Sequence, residues 1–218
     1  LTKPQQDAYN QCYSNVGGLD NEIACGLLKL RKICIHSNLD QILPKLLTPS
    51  RCHVGKHGSI LVKNSRAFLE PSIDVARKIM KKSSKMKELL TVLVHECGFD
   101  VAGNFDLIDN PINVDDDQMS MDEGPKKKAK VLILATLVEA QLLTSYFLSA
   151  VGLHHEVLVS SNANYNALVH SSSCERETAW TWSQDVLSRF NSSSGKSHDH
   201  RSINILVSSP KTISSHSG

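Results

Sequence analysis

Apolar and polar positions follow one spacing in the first hundred residues of this chain and another from residue 131 onward. The opening stretch reads helical: Pro4 suits a first helical turn after Thr2 or Lys3, and QQDAYNQCY continues it. Residues 20–35, DNEIACGLLKLRKICI, place Ile23, Leu27, Leu30 and Cys34 at intervals of four, three and four. That spacing predicts an amphipathic helix with those four residues buried and Arg31 and Lys32 outside. Residues 48–72 contain Pro49, Gly55, Gly58 and Pro71 and read as a loop with a short segment at Ile60–Val62. Residues 83–97, SSKMKELLTVLVHEC, give the clearest helix. Ser83 or Ser84 caps it, Met86, Leu89, Leu90, Leu93 and Cys97 form the buried stripe, and Gly98 stops it.

From residue 131 the helical stripes are separated by short continuous apolar runs. VLILAT (Val131–Thr136) predicts a fully buried parallel strand. A helix over Leu137–Val151, a strand over His155–Ser160, a helix over Cys174–Phe190 and a buried strand over Ser202–Ser209 follow. In the second helix Trp182, Val186 and Phe190 recur every four residues. Strand, helix, strand, helix, strand predicts an α/β fold with a parallel sheet and right-handed crossovers, preceded by a mostly helical piece.

Composition changes this picture little, but charge sharpens it. The 218 residues are 40% hydrophobic and 21% charged, which excludes a collagen-like chain, a mostly disordered chain and a disulfide miniprotein. The net charge of +2 hides a segmented distribution. Residues 1–97 carry 15 Lys+Arg against 8 Asp+Glu, residues 98–125 carry 8 acids and no Lys or Arg, and residues 126–218 carry 9 basic and 6 acidic residues. The acidic stretch, with Asp115-Asp116-Asp117, reads as a loop inserted at 99–129. No apolar run of about 18 residues predicts a membrane span, and the start lacks the regions of a signal peptide. Six cysteines without repeated spacing read as reduced, buried thiols of an intracellular protein. A chain that opens on Leu1 and ends on Ser-His-Ser-Gly is expected to be a fragment of a longer protein.

Isolated motifs carry little chemistry. Gly195-Lys196-Ser197 lacks the first glycine of a phosphate loop, at Phe190, and follows a helix rather than a strand. Asp122-Glu123-Gly124 is similar to an acidic magnesium-and-water motif but does not end a buried strand. The lysines at 126–130 read as a nuclear-import or nucleic-acid patch, or as a solvated loop beside the acidic run. Cys34, His36, Cys52, His53 and His57 lack the paired spacing of a structural zinc site. No catalytic triad or metal ligand set stands out, so no catalytic or metal residue is assigned.

Four blocks in order resemble the C-terminal half of the SWI/SNF-type ATPase motor, a branch of superfamily-two helicases. LTKPQQDAYNQCY (Leu1–Tyr13) resembles the segment L-S/T-x-x-Q-x-x-x-Y, and LLKLRKICIHSNL (Leu27–Leu39) resembles L-x-x-L-R-K-I/V-C-N-H-P-x-L. SSKMKELLTVL (Ser83–Leu93) resembles the helix that opens the second lobe, and KVLILATLVEAQLLTSYFL (Lys130–Leu148) resembles that lobe's first strand and helix. Leu168–Asn191 and Ile203–Gly218 follow more weakly.

The resemblance implies a helical protrusion or linker at 1–82 and a partial RecA-like second lobe at 83–218, interrupted by the acidic loop. The LRKIC block would pack the protrusion against the lobes. Ser171, Ser172, Ser208 and Ser209 would contact DNA phosphates, a sequence-independent and salt-dependent mode of binding. The parent would be a nuclear, DNA-dependent ATPase using ATP and magnesium. Its partners would be double-stranded DNA or a nucleosome and the subunits of a chromatin or transcription complex, with no membrane. The phosphate loop, the acidic box and the arginine-finger block are not in this sequence, so the chain would not hydrolyse ATP alone. Ile35 and Ser37 replace the family's Asn and Pro, His170-Ser171 its Asp-Gly, and Pro210-Lys211-Thr212 its Arg-Ala-Gly. These departures also fit a non-catalytic helicase-like module that binds DNA or a partner.

Overall fold

A computed structural model describes residues 1–14, 20–46, 52–54, 60–62, 70–102, 105, 129–158, 176–192 and 203–216. The helical lead-in comprises α1 (Lys3–Ser14), α2 (Asp20–Ile35) and α3 (Leu39–Leu46). A short antiparallel hairpin, β1 (Cys52–Val54) with β2 (Ile60–Val62), follows in the region read as a loop. Helices α4 (Ile73–Lys81) and α5 (Ser84–Thr91) lead to the α/β part: β3 (Val131–Leu134), α6 (Val138–Ala150), β4 (Glu156–Leu158), α7 (Arg176–Asn191), β5 (Ile205–Ser208) and α8 (Pro210–His216).

The three later strands form a parallel sheet in the order β3-β5-β4, so the last strand inserts between the first two. This position explains the burial. All four residues of central β5 are buried, whereas in β3 Leu132 and Leu134 are exposed. The expectation of a fully buried β3 is therefore corrected: it has one neighbour among the described residues, and only its Val131–Ile133 face packs on α6. On that face Val131, Ile133, Val157, Ile205 and Val207 join one cluster with α6. On the opposite face Leu158 and Leu206 pack with Val186 of α7 and Ile213 of α8.

Helix α6 has apolar residues nearly all round because it is covered on both sides. Leu142, Leu143, Tyr146 and Phe147 are buried between the sheet and the lead-in helices, where Leu39, Leu43, Ala76 and Ile79 meet them. One cluster thus runs from α3 and α4 to the sheet, across the expected boundary at residues 82 and 83. Helix α6 ends in a Schellman motif. Gly152 adopts φ +77°, its N–H donates to Ser149 O, and Leu153 N donates to Leu148 O.

Two helical stripes differ from expectation. In α2, Leu30 is buried, but Ile23 and Leu27 are exposed and Cys34 is half-buried. Lys32, expected in solvent, has an 11% exposed side chain. The expected helix over 83–97 is α5 followed by a π-helical turn at Val92–Glu96, and Gly98 then takes φ +69°. Met86, Leu90 and Leu93 are buried, while Leu89 and Cys97 are only half-buried. Cys12, Cys34 and Cys97 are half-buried free thiols and Cys25 is an exposed one, which corrects the expectation of buried cysteines.

Candidate functional site

The carboxyl edge of the parallel sheet is the place to look for a ligand. Strand β3 passes the chain to α6 on one face, and its neighbour β5 passes it to α8 on the other. Adjacent strands whose connections leave on opposite faces open a crevice at their carboxyl ends, where open α/β sheets bind ligands. The two strand ends are tied together there. Leu134 pairs with Ser208 in register, and Ala135 N donates to Ser208 O at 2.8 Å.

Two of the four serines named from sequence sit at this edge. Ser208 is fully buried, and its hydroxyl donates to Leu158 O at 3.1 Å, so it clips β5 to β4. Ser209 is half-buried and caps α8: its Oγ accepts from Thr212 N at 3.1 Å and lies 2.7 Å from Thr212 Oγ1. Ser171 and Ser172 lie outside the described residues, as do Asp122-Glu123-Gly124, the lysines at 126–128 and Gly195-Lys196-Ser197.

A cation that sequence reasoning kept for packing reaches the same edge. Arg31, exposed on α2, donates from Nη2 to Thr136 Oγ1 at 3.0 Å across 105 residues of sequence. Its neighbour Lys32 turns inward and forms ion pairs with Asp40 at 2.7 Å and Glu139 at 3.1 Å. Burial lowers the Lys32 pKa, but hydrogen bonds to Asp40 and Glu139 outweigh it and raise the value above the ordinary lysine range. Gln141 completes the turn, donating to Ala135 O at 2.7 Å. The adjacent cations of the LRK motif thus differ in role: Lys32 is neutralised, and Arg31 stands at the carboxyl end of β3.

The C-terminal end of α2 is held by a polar joint of three helices centred on Gln5, a fully buried residue of α1. The last turn of α2 leaves carbonyls without intrahelical partners. The N–H of Ser37 goes to Lys82 O rather than back to Ile33 O, and Gln5 Nε2 supplies Ile33 O at 3.0 Å. The Ser83 hydroxyl donates to Ile35 O. Ser83 also caps α5, its Oγ accepting from Met86 N at 3.2 Å. Gln5 Oε1 accepts from Ser84 N at 3.1 Å and Ser84 Oγ at 3.2 Å. Three of the sequence blocks, containing Gln5, Ile33–Ser37 and Ser83–Ser84, therefore meet at one point.

Beside this joint lies a cavity of about 640 Å³ lined by residues of α1, α2 and the start of α3, among them Cys12, Lys29, His36 and Gln41. His36 is 1% exposed, and its Nδ1 accepts from Asn38 N at 3.1 Å, which leaves the ring proton on Nε2. Burial, and then the positive charge of Lys82, lower its pKa from 6.5 to about 4. His36 Nε2 and Ser37 Oγ are buried without protein partners among the described residues. A second histidine, the half-buried His155, bonds Ser145 Oγ at 2.8 Å and Leu153 O at 3.0 Å, tying the end of α6 to β4. No described residue beyond that pair forms a nucleophile-and-base arrangement with it, and among the described residues no three His, Cys, Asp or Glu side chains are grouped to hold a metal ion. No helix among them is long and apolar enough to cross a membrane. No protein-family model, curated protein or solved structure matches this chain.

Proposed function

We propose that this chain is the second-lobe part of a nuclear, ATP-dependent, DNA-translocating chromatin or transcription remodeller, and that it contributes DNA-phosphate contacts. The observation that carries the reading is the position of α2. Its RK pair reaches the carboxyl edge of the sheet, through Arg31 to Thr136 and Lys32 to Glu139, while its last turn locks into Gln5 and Ser83. A helix fixed at both places would pass movement of a RecA-like lobe to the protrusion, which is what a motor that converts lobe closure into DNA movement requires. ATP and magnesium would be supplied with the first lobe, and no hydrolytic step is assigned to residues of this chain.

A second reading, a non-catalytic helicase-like module, draws on Ser208. Its hydroxyl is buried against Leu158 O, and Pro210-Lys211-Thr212 follows where the family has Arg-Ala-Gly. The two readings separate in the full gene product. The motor hydrolyses ATP faster when duplex DNA is added, and the module binds DNA or a protein partner without hydrolysis. A full-length protein that neither hydrolyses ATP nor binds DNA overturns both.

A further inference from the structure

We infer that Arg31 binds a phosphate group in the crevice between the carboxyl ends of β3 and β5, a contact that the sequence resemblance gives only to serines. The inference rests on the proposed DNA-binding role and adds the cation to it. Three features of the edge point the same way. First, Arg31 Nη2 is anchored on Thr136 Oγ1, which fixes the guanidinium at the end of β3 while the side chain stays exposed. Second, no carboxylate pairs with Arg31 among the described residues, and a guanidinium carries five N–H donors, so a planar fork remains for an oxyanion. Third, Asp40 of α3 and Glu139 of α6 are already engaged, both by Lys32. Arg31 is thus a cation at the end of β3 with no carboxylate partner among the described residues.

The geometry of the strand ends adds hydroxyls. Because Leu134 pairs with Ser208, the chain leaves β3 through Ala135 and Thr136 and leaves β5 through Ser209 at the same end of the sheet. Ser209 is tethered to Thr212, and Thr136 to Arg31, so both hydroxyls are positioned before any ligand arrives. A fixed guanidinium with preplaced hydroxyls suits a phosphate, whether from a DNA backbone or from a nucleotide.

The test measures binding of the chain to a short labelled duplex by fluorescence anisotropy across a salt series, and to ATP by calorimetry. Arg31→Ala, Arg31→Lys and Arg189→Ala are compared. Arg189 is a cation already paired with Glu156 and Asp185 on α7, and it controls for loss of charge. Loss of one phosphate contact lowers the magnitude of the log–log salt slope by about 0.9 and weakens binding about tenfold at low salt. Arg31→Lys retains part of the affinity, and Arg189→Ala stays within about twofold of the unsubstituted chain. If Arg31→Ala changes ATP affinity instead of DNA affinity, the phosphate is a nucleotide's. If Arg31→Ala leaves both unchanged while the chain binds DNA, the Arg31 site is overturned and the DNA-binding role stands. If the unsubstituted chain binds neither ligand, both fall.

Discussion

Gln5→Ala is the perturbation that reports most directly on how α1, α2 and α5 are held together. The side chain is fully buried and serves both helix ends at once. Its truncation leaves Ile33 O without a donor, because the Ser37 N–H that would otherwise return to it is committed to Lys82 O. It also leaves Ser84 N, at the first turn of α5, without its acceptor. Leaving the half-buried Ile33 carbonyl unpaired costs about 1–3 kcal/mol, and the half-buried amide adds about 0.5–1 kcal/mol. The Thr2 groups that also reach Gln5 are half-exposed and turn to water. A loss of about 3 kcal/mol follows, which for a chain of this size lowers Tm by roughly 6–12 °C. Urea denaturation followed by circular dichroism, with the slope held common, measures it. Gln5→Glu sharpens the test. It keeps an acceptor for Ser84 but sets a carboxylate oxygen against Ile33 O, so it destabilises at neutral pH and recovers as the pH falls toward about 4, where the carboxyl gains a proton to donate. A Gln5→Ala protein within about 0.5 kcal/mol of the unsubstituted chain, or a Gln5→Glu protein with no recovery in acid, refutes the joint.

Other consequences are equally specific. His36 is held neutral, with its folded pKa near 4 below the ordinary 6.5, so its contribution is complete above 6.5 and is lost as the pH falls through that window to about 4. The loss has a ceiling of about 3 kcal/mol. Urea midpoints at successive pH values should fall in acid, and His36→Gln, which keeps an acceptor for Asn38, should flatten the fall. His155, whose pKa is lowered by burial against the opposing bond to Leu153 O, gives a smaller effect of the same sign. Gly152→Ala should cost more than Gly98→Ala. Both positions have positive φ, but a Cβ at 152 comes to 3.0 Å from Ala102 Cβ whereas one at 98 meets nothing. Thermal unfolding should place the first at about 2 kcal/mol and the second at about 1 kcal/mol. Equal losses would show that the Ala102 contact does not matter.

The alternation of apolar runs and helical stripes made the α/β part legible. Helices α6 and α7 and strands β3, β4 and β5 all lie within the expected segments or a residue beyond them. Strand order was not legible, because a run such as VLIL is equally apolar at an edge or a centre. Leu132 and Leu134 are exposed because β3 lies at the edge and, among the described residues, only its Val131–Ile133 face is packed. The buried side of α2 was misplaced for a related reason. Periodicity gives a stripe but not the neighbour, and here polar capping by Gln5 and Ser83 and the inward turn of Lys32 orient the helix. The π-helical turn after α5 has no sequence signal, and it moves the end of that stripe off the core. At the candidate site, the ends of β5 were readable as Ser208 and Ser209. The contact of Arg31 with Thr136 joins residues whose separation along the chain no local pattern spans.

The proposed function requires that the chain bind nucleic acid through phosphates at the carboxyl edge of its sheet. Its most direct test is the affinity of the chain for duplex DNA as a function of salt, measured with two unrelated sequences. Phosphate contacts predict the same affinity for both duplexes and a straight decline of log K with log salt, with a slope of about −0.9 per phosphate neutralised. Absence of binding at low salt, an affinity that does not change with salt, or a strong preference for one duplex would contradict it.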